Sequence, residues 1–75
     1  MLKSPHALLD EAVRAHKAGR LAEAQSLYRK AVALQPTNSP VLRLYGVCLQ
    51  QQGQLNQAIA QFRSAVQVTL QALDT

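Results

Sequence analysis

Seventy-five residues allow one small domain, and a lone core of that size usually supplies only about 3 to 5 kcal/mol of stability. A composition that is 48% hydrophobic and 16% charged excludes a disordered tail and suits packed helices. The net charge of +4 is scattered rather than clustered, which argues against a nucleic-acid surface, and one cysteine excludes an internal disulfide.

Ser4 before Pro5 is a helix start with a mechanism. The serine oxygen can cap free amides, and proline at the first helical position loses no hydrogen bond. The first helix is predicted over about Pro5 to Ala18, with Leu8, Ala12 and Ala15 on one stripe and Leu9, Val13 and His16 on a second beside it. Gly19 is expected to end it in a left-handed cap. Leu21, Ala24, Leu27, Tyr28, Ala31 and Leu34 then recur three or four apart, the spacing of one apolar helix face. This second helix should return antiparallel over about Leu21 to Leu34 and close at Pro36, with Ala24 and Ala31 keeping the two axes near each other.

Ser39-Pro40 repeats the opening device at the start of a third helix. Val41 to Leu49 is apolar except for Arg43 and Gly46, and alone its β-branched and aromatic content would also suit a buried strand. Read as a helix, it is apolar nearly all round and belongs at the centre, against both helices before it and the one after. Gly46 costs roughly 1 kcal/mol in a helix interior and is expected to admit a neighbouring backbone. Gln52-Gly53 ends this helix, and a fourth should run from about Leu55 to about Leu73. Leu42, Tyr45, Cys48, Leu49, Tyr28 and Phe62 form the expected core.

Sliding the second helix forward by about 34 residues lays Gly19 on Gly53, Leu21 on Leu55, Ala24 on Ala58, Tyr28 on Phe62 and Ala31 on Ala65. These residues resemble the tetratricopeptide repeat, whose glycine, alanine, aromatic, alanine and proline are matched by Gly19, Ala24, Tyr28, Ala31 and Pro36. The second copy adds Leu42, Tyr45, Gly46 and Leu49, but carries Leu70 where the closing proline would fall. The phase supports helix over strand for Val41 to Leu49. The resemblance implies an all-α fold of two helical hairpins, four antiparallel helices in a short right-handed α-solenoid. Residues 1–75 then form a single domain, with repeat one at about 5–36 and repeat two at about 39–73.

Enzymatic signatures are missing: no phosphate-binding glycine loop follows a strand, no nucleophile elbow is present, and no histidine pair has the spacing of a helical zinc site. His6 and His16 lie too far apart along one helix to share an ion, and Cys48 reads as a small buried hydrophobe. No cofactor or metal is expected, and the chain is read as a non-enzyme. Tyr28, Tyr45 and Phe62 are needed in the core rather than for base stacking. The glutamines Gln50, Gln51, Gln52, Gln54, Gln57, Gln61, Gln67 and Gln71 read as neutral solvent-facing positions. MLKSPHALLDEAV lacks an apolar leader core, and no run approaches the roughly 18 apolar residues of a membrane span. The expected setting is the cytoplasm, with no membrane and no nucleic acid.

The resemblance further implies a scaffold for protein–protein interaction, receiving an extended peptide or partner helix in a concave groove lined by the first helix of each hairpin. The matching positions are His6, Leu9, Val13, His16 and Lys17, then Arg43, Leu44, Val47, Gln50 and Gln51. Some family members clamp a partner's terminal carboxylates there with lysine and asparagine; Leu9, Val13 and Leu44 stand at those phases, so no clamp is expected. AVRAHKAGRLAEAQSLYRKAV also resembles the repeats that precede glycosyltransferase or sulfotransferase domains in some bacterial proteins. An accessory segment of such an enzyme is therefore an alternative, as is a self-assembly module. The fourth helix carries Ile59, Phe62, Val66, Leu70 and Leu73 on one line, with no charge on it before Asp74. Two copies leave that line uncovered, and a homodimer or further repeats would bury it.

Overall fold

A computed structural model describes residues 4–73; Lys3 and Asp74 fall outside them. The described residues form four helices and no strand: α1 (Pro5–Lys17), α2 (Leu21–Leu34), α3 (Ser39–Gln51) and α4 (Leu55–Leu73). Ser4 caps α1 by accepting from the Ala7 amide at 3.1 Å, with Pro5 at the first helical position.

The two hairpin turns are built alike. Gly19 and Gly53 take φ of 82° and 79°, the left-handed region that a side chain would strain. The residue after each reaches back across the helix end, Arg20 N to Ala15 O and Gln54 N to Leu49 O, both at 2.9 Å. These are the long closing bonds of a glycine-capped helix, 34 positions apart in the sequence.

The start of α3 differs from expectation. Asn38, not Ser39, is the cap, its side-chain oxygen accepting from the Val41 amide at 3.3 Å. Ser39 lies inside the helix, its hydroxyl 3.3 Å from the Ala65 carbonyl and 3.2 Å from the Thr69 hydroxyl, which pins the start of α3 to α4. A second good capping side chain one position earlier freed the serine for this contact.

Helices pack in series, α1 on α2, α2 on α3 and α3 on α4. The main core takes Ala12 and Ala15 from α1, Ala24 and Tyr28 from α2, Tyr45, Cys48 and Leu49 from α3, and Ala58 from α4. Leu8, Ala31 and Val41 make a smaller cluster beside it. Helix α3 is the most buried, as expected, but its backbone neighbours are α2 and α4; it meets α1 chiefly through side chains.

Phe62 is only half-buried, where full burial was expected. Its counterpart Tyr28 is closed in by α3, whereas no helix among the described residues covers α4 in the same way. The space beside Gly46 is filled by the Phe62 ring and not by a neighbouring backbone: a Cβ on Gly46 would stand 2.7 Å from Phe62 Cε1.

Gln52 and Gln54 are also more than surface. Both donate to Gln25 Oε1, at 2.6 Å and 3.2 Å, tying the turn between α3 and α4 to α2.

Candidate functional site

Between α1 and α3 lies a recess of about 380 Å³ lined by Val13, His16, Lys17, Leu44, Val47 and Gln51, with Tyr28 at its floor. Helical spacing explains the lining: Val13, His16 and Lys17 share one side of α1, and Leu44, Val47 and Gln51 are three and four apart on α3. Val13 and Leu44 are half-buried with their inner surfaces against the main core, so the recess has apolar walls. Lys17 is exposed and supplies positive charge at one end.

His16 joins the two walls. Its Nε2 donates to Gln51 Oε1 at 2.6 Å, which leaves Nδ1 to accept from the Tyr28 hydroxyl at 3.0 Å. One imidazole thus satisfies a phenol whose residue is fully buried and links α1, α2 and α3. The ring also stands edge-on to Tyr28, centroids 5.8 Å apart. In sequence His16 marks an apolar stripe of α1 and an expected groove position; its structural role depends on residues 12 and 35 positions away and leaves no local mark.

The remaining positions expected to line a groove lie outside this recess. Leu9 packs against both core clusters from the outside of α1. His6 is exposed, its Nε2 3.5 Å from Asp10 Oδ2. Gln50 is exposed on α3, outside the recess lining. Arg43 faces the cleft between α3 and α4, with Ser39, Val66 and Leu70, because a helix turns about 100° per residue and one position separates it from Leu44.

Burial pushes the Tyr28 phenol up to about 12, with the neighbouring Cys48 adding to it. Folded Tyr28 therefore holds its proton after unfolded chains have released theirs, and stability fully present below about pH 10 should be lost as pH rises toward about 12. Denaturant unfolding across that window should show the decline, and Tyr28→Phe should flatten it. An equal decline in both proteins would contradict the assignment.

Cys48 is buried, its Sγ donating to the Leu21 carbonyl at 3.4 Å. Burial raises its thiol above the ordinary value, against a smaller opposing effect of the Gln52 hydrogen bond. A protonated, covered thiol packs and does not attack. Among the described residues no three His, Cys, Asp or Glu side chains group as metal ligands, and no helix is long and apolar enough to cross a membrane.

Two like-built hairpins in series, with a recess between their first helices, define a helical-repeat scaffold. A family model of the tetratricopeptide repeat matches residues 15–72. That is well over half of the chain, which therefore belongs to the tetratricopeptide repeat family. The family is in general a protein–protein interaction module and typically non-catalytic. Comparison with curated proteins gives no match.

Proposed function

We propose that this chain is a protein-interaction scaffold that takes an extended peptide or partner helix along the groove between α1 and α3. The observation that carries the reading is the recess itself, with apolar walls from Val13, Leu44 and Val47 and a cationic end at Lys17. Such a surface suits a ligand with one or two apolar anchors and an acidic flank. Leu9 and Leu44 offer no polar grip for a terminal carboxylate, so recognition is internal to the ligand. Arg43 acts from the neighbouring cleft, and His6 and Gln50 stand at the margin. An accessory segment of a larger bacterial enzyme would use the same groove to hold its partner. The covered, reduced thiol is compatible with a cytoplasmic setting.

Peptides selected from a random library against the chain supply the probe. Val13→Glu or Val47→Glu should reduce their affinity at least about tenfold, the effect of about 1.4 kcal/mol, while Gln67→Ala on α4 should leave it unchanged. Peptides with amidated C-termini should bind as well as free acids. Affinity indifferent to both groove variants, or strict dependence on a free carboxylate, would overturn the reading.

A further inference from the structure

We propose that α4 is a docking surface for a second copy of this chain, the two α4 helices lying antiparallel about a two-fold axis beside Ser64. Leu55, Ile59, Val66, Leu70 and Leu73 are 57%, 52%, 57%, 56% and 78% exposed, a continuous apolar line along one helix. Scattered exposed leucines are ordinary, whereas an uninterrupted line marks an interface. No acidic or basic residue stands on this line between Leu55 and Leu73; Arg63 lies at its edge.

The internal repeat shows that a helix belongs on this face. Leu55, Ile59, Phe62 and Val66 correspond to Leu21, Gln25, Tyr28 and Val32 of α2, the residues over which α3 is laid. There Cys48 bonds the Leu21 carbonyl, Gln52 bonds Gln25, and Tyr45 stacks on Tyr28 at 6.4 Å. Val32 packs against the cluster that holds Val41. One repeat later no helix among the described residues lies on the same face: Phe62 is half-buried against Gly46, and Leu55, Ile59 and Val66 are exposed.

Three observations select a second copy as the cover. First, head-to-tail stacking is disfavoured: it would set α1 on α4 as α3 sits on α2, and α1 carries Glu11 and Arg14 where α3 has Tyr45 and Cys48. Burying those charges against α4 would be costly. Second, α4 does not turn at Leu70, the counterpart of Pro36, but runs on to Leu73, which lengthens the apolar line beyond what the α2 counterpart offers. Third, the line reads almost alike in both directions. About an axis beside Ser64, Leu55 meets Leu73 of the second copy, Phe62 meets Val66, and Ile59 meets Leu70 to within one residue. A self-complementary patch of this kind closes as a two-fold dimer and does not polymerise.

Sedimentation equilibrium from micromolar to millimolar concentration should show a monomer–dimer equilibrium. Val66→Glu and, separately, Leu70→Glu should leave only monomer with unchanged helical circular dichroism, since both sites are exposed in one copy. Leu55→Lys and Leu73→Glu should each weaken the dimer, and a one-to-one mixture should restore it, because antiparallel pairing brings the new charges together. A strictly monomeric parent chain, larger open assemblies, a dimer indifferent to both glutamate variants, or no recovery in the mixture would each overturn the proposal.

Discussion

Tyr28→Ala should leave the chain without a cooperative thermal transition. Tyr28 is fully buried, stacked on Tyr45 and hydrogen-bonded to His16. It therefore draws α1, α2 and α3 onto one ring. Truncating a buried aromatic costs about 3 to 5 kcal/mol, and a core of this size holds only about that much in total. The protein is a thin slab, 37 × 32 × 16 Å, with little other interior to absorb the loss. Phe62→Ala, at the corresponding position of the second hairpin, should cost less, because that ring is half-buried and no helix among the described residues covers it. Melting followed by circular dichroism measures both. A Tyr28→Ala chain that melts like its parent, or a larger loss at Phe62, would show that the first hairpin's ring is not the keystone.

Ala24→Leu and Ala58→Leu should destabilise in the opposite way, by overfilling. Both alanines are essentially without exposed surface, and each stands where a second helix approaches closely. Added methylenes in such a contact cost about 1 to 3 kcal/mol, which lowers the melting temperature by roughly 5 to 20 °C in a domain of this length. Ala24 should be the more sensitive, since α2 is held between α1 and α3 while α4 can tilt away from α3 toward its uncovered side. Neutral behaviour at both positions would place them outside the helix contacts.

The turns and helices were legible because their signals are local and occur twice. Gly19 and Gly53 mark their own left-handed φ, and α2 spans Leu21–Leu34 as its apolar spacing requires. Repetition decided the one ambiguous stretch, Val41 to Leu49, whose composition also suits a strand. What the sequence concealed depends on partners far along the chain. Ser39 looks like a cap, but Asn38 can do the same work, and only Thr69 and Ala65 across the fold reveal the serine's use. Gln52 and Gln54 resemble their solvent-facing neighbours until Gln25 is brought beside them. Phe62 shares its phase with Tyr28 and differs only in what covers it.

The lining of the recess between α1 and α3 was partly legible for the same reason. Val13 with Val47, and Lys17 with Gln51, stand 34 positions apart on the first helices and come together with Leu44 around one recess. Arg43, one position from Leu44, faces the other cleft. A repeat phase specifies the side of a helix only to within about a residue, since each step turns it through about 100°.

Amide chemical shifts of the chain titrated with a library-selected peptide bear most directly on the interaction reading. Perturbations should concentrate at Val13, His16, Lys17, Leu44, Val47 and Gln51, with α2 and the far side of α4 largely unmoved. Shifts confined to the outer faces of α2 and α4, with those six amides unchanged, would contradict it.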